Sequence, residues 1–258
     1  MVSLNDLMSF LQAYMGFEEK VLRIDSYLTN GLQIAGQATI DKIATGVSAN
    51  MAFFEKAKAA GAQALLVHHS MNPPASVHFE HDSIFMNRLK YLWQHNLSLL
   101  GYHYLLDSHP EIGHNVSIIR ALGAEPTHRY GGPDGWGWVG EIEGGVALDD
   151  VMAKCRALFQ DNGFYYPLGR KTVRRIVCLT GAGAPRPSDY PNLAEQQIDL
   201  FITGEPREWN RELCRESGIS MVAGGHYNTE IIGLEALSRV IQDQFEVEIE
   251  FIDIPNEV

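Results

Sequence analysis

The stretch Ala64-Leu65-Leu66-Val67-His68-His69-Ser70 decides how this chain is read. A short apolar run, of the length of a buried strand, ends abruptly in two adjacent imidazoles. In open α/β proteins the carboxyl ends of strands form the rim where ligands sit. Each imidazole brings two ring nitrogens that need partners. His68 and His69 therefore read either as metal ligands or as structural histidines satisfied by their surroundings. Successive side chains on a strand point to opposite sides of the pleat. That predicts one ion would be hard for both to bind, whereas two neighbouring ions could take one each.

Working outward, Ile40 to Val47 reads as the preceding strand. Ser48 can cap a helix running to about Ala60, with Phe53, Ala57 and Ala60 on its inner face and Gly61 as its stop. The strand–helix–strand unit has the length of a parallel crossover. A loop, Met71 to His81, follows and holds Pro73-Pro74, His78 and His81, with the two histidines read as solvated. Ser83 to His95 is predicted helical from Phe85, Leu89 and Leu92. Leu97 to Tyr102 is a third strand, running into His103-Tyr104-Leu105-Leu106-Asp107. Upstream, Leu4 to Met15 has the spacing of an amphipathic helix that Ser3 or Asn5 could cap, and Asn30-Gly31 favours a turn.

The α/β pattern recurs later in the chain. Arg175 to Leu179 reads as a strand leading into the tight turn Thr180-Gly181-Ala182-Gly183. Asp199 to Thr203 is a strand ending in Gly204-Glu205. A helix is expected over Pro206 to Ser217, with proline in its first turn. Ser220 to Ala223 is a strand ending in Gly224-Gly225-His226, followed by a helix over Thr229 to Gln244 and a last strand over Val247 to Ile254. Residues Gly101 to Asp107 and Gly224 to Glu230 share the pattern Gly-x-His-Tyr-x-x-acid at equivalent places in the two series, which suggests a degenerate repeat. The expected fold class is α/β, with two similar βαβ-based halves, mixed sheets and a metal site in the cleft between them. Residues 1–126 form the first half, 127–146 a Gly/Trp-rich β-hairpin insert and 147–258 the second half, all within one compact family domain.

With 32 acidic and 20 basic residues, the formal net charge is -12. That disfavours a nucleic-acid backbone as partner of the outer surface, since such binding rests on lysine and arginine. Arg170-Lys171-Thr172-Val173-Arg174-Arg175 is the local exception, read as a solvated strand edge or a phosphate-contacting patch. Cys155, Cys178 and Cys214 lack CxxC spacing and read as buried, reduced thiols of a cytoplasmic protein. No signal peptide or membrane span is expected.

The chemistry concentrates in His68, His69, His103, Asp107, Glu205, His226 and Glu230. If Thr229-Glu230 opens a helix, His226 lies just ahead of it and Glu230 in its first turn, so both can reach one site. Imidazole with carboxylate suits zinc, manganese, iron, cobalt or nickel. Two such ions roughly 3.5–4 Å apart would bring the pKa of a bridging water near neutrality. Glu205 and His103 are the tentative proton shuttles. Each residue has a plainer reading: a helix-capping pair for His226 and Glu230, a turn residue for Asp107.

Asn30-Gly31-Leu32-Gln33, Thr45-Gly46-Val47, Val67-His68-His69, Leu106-Asp107-Ser108-His109-Pro110, Ile202-Thr203-Gly204-Glu205, Gly225-His226-Tyr227-Asn228-Thr229-Glu230 and Phe251-Ile252-Asp253-Ile254-Pro255-Asn256 resemble the NGG-interacting-factor-three family. Its bacterial members are commonly labelled GTP cyclohydrolase I type-two homologues. The resemblance implies a dinuclear metal centre with two divalent ions per subunit, held by His68, His69, Asp107, His226 and Glu230, with Glu230 bridging. It implies a toroidal homohexamer. It also implies a metal-dependent hydrolase acting on a nucleotide-like or cyclic C–N substrate, GTP ring opening included. The alternative is a non-catalytic metal-binding ring or scaffold for a protein or nucleic acid.

Overall fold

The computed structural model describes residues 1–16, 20–25, 28–71 and 83–258. The expected loop beyond Met71, with His78 and His81, lies outside the described residues. The chain falls into two compact units. One is Met1–Leu106 with Leu234–Ile254; the other is Asp107–Gly233 with Pro255–Val258.

The first unit opens with β1 (Val2–Ser3), α1 (Leu4–Met15), α2 (Lys20–Ile24), β2 (Asn30–Ile34) and β3 (Thr39–Ile40). Then come β4 (Lys42–Ser48), α3 (Met51–Ala59), β5 (Ala64–His69), α4 (Ser83–Gln94) and β6 (Ser98–Tyr102). The chain leaves this unit within α5 (Tyr104–Asp107). The second unit holds α6 (His114–Ala121), β7 (Glu125–Tyr130), β8 (Gly137–Ala147), α7 (Leu148–Leu158), β9 (Phe164–Tyr166) and β10 (Thr172–Leu179). It continues with α8 (Tyr190–Glu195), β11 (Leu200–Thr203), α9 (Asn210–Ser217), β12 (Ser220–Ala223) and α10 (His226–Thr229). The chain then re-enters the first unit along α11 (Ile232–Gln244) and ends its regular structure with β13 (Glu248–Phe251).

The first unit's main sheet has the order β13-β4-β5-β6-β2. β13, β4, β5 and β6 run parallel, and β2 closes the edge antiparallel to β6. Ala64 to Val67 are buried almost completely, as a parallel strand covered on both faces requires. Phe53, Phe54, Leu65, Leu92 and Leu99 share the core cluster on one face, each worth roughly 1.5–3 kcal/mol when fully buried. A Cβ at Gly46 would lie 2.6 Å from the Phe53 ring, so glycine there lets α3 press onto β4. The helix begins later than the sequence suggests. Ser48 is still paired with His69 in the ladder. Asn50 is the cap instead, its side chain accepting from the Phe53 N–H at 2.9 Å.

The second unit's sheet has the order β7-β8-β10-β11-β12-β9, with β10, β11 and β12 parallel. Alternate residues feed two cores: Ile176, Cys178, Leu200, Ile202 and Val222 one, Val177, Phe201, Met221 and Ala223 the other. The Gly/Trp-rich segment forms the β7–β8 hairpin, whose second strand pairs with β10. β10 is thus interior, which corrects the reading of Arg170 to Arg175 as a strand edge. Arg170 instead reaches Asp199 at 3.3 Å and Arg175 reaches Glu141 at 2.8 Å. Pro206 is not in a first turn either, because α9 starts only at Asn210. All three cysteines are buried and unbridged, and burial pushes the Cys155 thiol up to about 12.

Candidate metal centre

In the first unit, β5 and β6 deliver three histidines from their carboxyl ends. His68 is fully buried, while His69 and His103 are partly so. Their ligand nitrogens all lie within 4.8 Å of one another. The ring centroids of His68 and His69 are 4.7 Å apart, and those of His68 and His103 are 4.9 Å apart. This overturns the expectation that adjacent histidines would diverge. The β5–β6 ladder has its last pair at Val67 and Gly101, while β4 still pairs with β5 at Ser48 and His69, and the two rings come together at this strand end. One ion could be shared by both.

Each ring is braced at Nδ1. His68 Nδ1–H donates to the Tyr102 carbonyl at 2.9 Å, which makes Nε2 the ligand nitrogen. His69 Nδ1 lies 3.0 Å from Ser48 Oγ. His103 Nδ1–H donates to Asp25 at 2.9 Å. Asp25 is buried and also accepts from Asn30 Nδ2 at 2.8 Å and from the Tyr104 N–H at 3.1 Å. Burial alone would raise the Asp25 pKa, but the His103 ring, Asn30 and the Tyr104 N–H hold it down at about 2. Asn30 Oδ1 in turn accepts from the His103 and Leu105 N–H groups.

In the second unit, Asp107 and His114 bring ligand atoms within 4.8 Å of each other. Thr180 Oγ1–H donates to Asp107 at 3.3 Å, and Asn115 clamps the Asp107 carbonyl at 3.0 Å. His226 opens the short α10, and Glu230 follows its last residue. Glu230 is therefore not in the first turn of the long helix, as the sequence suggests, because α11 begins only at Ile232. The four-residue spacing nonetheless sets His226 Nε2 3.2 Å from Glu230 Oε1. Glu205, from the end of β11, meets His226 Nδ1 at 2.5 Å. Burial would depress the His226 pKa. Glu230 and Glu205 outweigh it through hydrogen bonding and charge, raising the value to about 9.

Gly181 makes room for this pair. Its φ is +59°, and a Cβ there would run into Glu230 Oε1 and lie 3.1 Å from His226 Nε2. The turn is tight, as expected, with the Gly183 N–H on the Thr180 carbonyl at 3.3 Å. Its carbonyl at Gly181 also accepts the Gly204 and Glu205 N–H groups at 2.9 Å.

The donor set fits a divalent ion of borderline hardness. It offers imidazole and carboxylate donors with carbonyl, hydroxyl and carboxylate braces behind the rings. Sequence reading missed Asp25, His114, Asn115 and Thr180. The only sequence signal for Asp25 was its place shortly before Asn30-Gly31.

The chain is similar to known proteins over nearly its whole length. The model of the Duf34/NIF3 (NGG1p interacting factor 3) family matches residues 2–257. A relative from Archaeoglobus fulgidus, named "GTP cyclohydrolase 1 type 2 homolog", is 32% identical over 93% of this chain and 96% of its own length. One of the same name from Pseudomonas aeruginosa is 35% identical over 91% and 92%. A solved structure described as "Structural genomics, protein ybgI, unknown function" superposes with a TM-score of 0.85 at 30% identity, covering both chains fully. TTHA1606 from Thermus thermophilus superposes with a TM-score of 0.83 at 25% identity, again over both whole chains. The chain belongs to the Duf34/NIF3 (NGG1p interacting factor 3) family.

Proposed function

We propose that this protein is a metal-dependent hydrolase whose two divalent ions are held by His68, His69, Asp107, His226 and Glu230. The observation that carries the reading is the bracing of the histidines. His68 and His226 each meet an acceptor oxygen of the protein at Nδ1, which presents Nε2 as a ligand would need. What such ions supply when bound is Lewis acidity and a lowered pKa for water. The name these relatives carry points the substrate toward a nucleotide with a cyclic C–N bond to open, GTP among them.

Within this reading Glu205 positions His226 through Oε1, and Arg207 lies 3.7 Å from its other oxygen. His103, held by Asp25 at Nδ1, is the side chain left to pass a proton at Nε2. The same proposal takes the protein as a cytoplasmic homohexamer of toroidal form. Among the described residues no helix is long and apolar enough to cross a membrane. Purified, metal-loaded protein should turn over at least one nucleotide, cyclic amide or phosphoester in a broad panel, and His69→Ala should abolish that turnover. No turnover on any class, with metal bound, would favour a non-catalytic scaffold. The burial of His68 and Glu230 gives that second reading its support, since closed ligand shells are structural.

A further inference from the structure

The first unit holds a cavity of about 350 Å³ that the metal reading leaves unused. It is lined by Ser48, Asn50, His69, Ser70, Phe85 and Arg88, among others, and among the described residues no Asp or Glu lines it. That is notable in a chain with 32 acids and 20 bases. Among the described residues Arg88 carries the only fixed charge of the lining. Its Nε is buried with no hydrogen-bond partner, and among the described residues its guanidinium has no ion pair. A buried N–H of this kind is costly unless an acceptor arrives.

Two further features favour an anion. α3 starts at the cavity wall with Asn50 as its cap, so the positive end of the helix dipole lies there. Ser48 Oγ lies 3.0 Å from His69 Nδ1. With His69 ligating through Nε2, its Nδ1–H donates to Ser48, and the Ser48 hydroxyl proton is left for another acceptor. A guanidinium fork is suited to the paired oxygens of a phosphate.

We propose that this cavity is a phosphate subsite that seats the phosphoryl group of the substrate beside His69. It rests on the metal reading for the role of His69 and for a nucleotide-like substrate, and it adds where the phosphoryl group of that substrate is seated. The volume exceeds what a phosphate alone needs and leaves room for the group that carries it.

Calorimetric titration of the full chain, first stripped of metal by a chelator, tests this. The probes are inorganic phosphate, a nucleoside monophosphate and the nucleoside without phosphate. Phosphate and the monophosphate should bind, and the bare nucleoside should not compete. Arg88→Gln should weaken both by about tenfold or more, and Arg88→Lys should recover part of the loss. The monophosphate binding more tightly than phosphate assigns the site to an ester; equal binding assigns it to free phosphate and overturns the ester. No phosphate binding by the unaltered protein, or equal binding in both Arg88 variants, overturns the subsite. Elemental analysis of the same proteins separates the two readings. Metal should be unchanged in the Arg88 variants, whereas phosphate binding in a protein that never takes up metal contradicts the metal centre alone.

Discussion

Asp25 shows how a single residue can carry a site and stay hidden in the sequence. Its partner His103 is 78 positions away, and an acid before a turn looks ordinary. Its carboxyl sits at about 2 in the folded protein, against 3.8 as an ordinary side chain. A depressed carboxylate stabilises the fold above its unfolded pKa, and that stability is lost as pH falls through the folded one. Asp25 should therefore contribute about 2 kcal/mol at neutral pH, lost between pH ~4 and ~2. Urea unfolding of Asp25→Asn should show a shallower loss over that window than the unaltered protein. His226 has the opposite sign. In metal-free protein it keeps its proton until about pH 9, so an ion taking Nε2 must displace it. Metal uptake at pH 7 should release protons, measurable as a buffer-dependent heat of binding, and the extra proton should be absent in His226→Ala.

The elements that apolar runs define were the legible part. β5, β11 and β12 sit within a residue of where the sequence puts them, because strands buried on both faces read as continuous hydrophobic segments. Helix starts were harder, because Ser48 and Asn50 are both good caps and only the β4–β5 pairing decides between them. The turn after β10 looked like plain punctuation. Its space for Glu230 and His226 depends on residues brought in from the β11 and β12 ends. Gly181→Ala should lower the thermal midpoint, since an L-residue at φ +59° costs of order 1–3 kcal/mol. It should also weaken metal binding, read by equilibrium dialysis. Gly46→Ala should cost a similar 1–3 kcal/mol by overpacking against Phe53, with metal binding retained.

The whole chain folds as two units, each built on three consecutive parallel strands. The Gly-x-His-Tyr-x-x-acid pattern follows the third of these in both. That recurrence was readable from spacing alone. The return of β13 to pair with β4 was not, since a short strand after a long helix carries no signal of its partner. Metal content is the most direct test of the site. Elemental analysis of natively purified protein, beside Glu230→Gln and His68→Ala, should find about two divalent ions per chain, falling in both variants. Substoichiometric metal that neither substitution changes would contradict it and return His68 and His69 to a structural role.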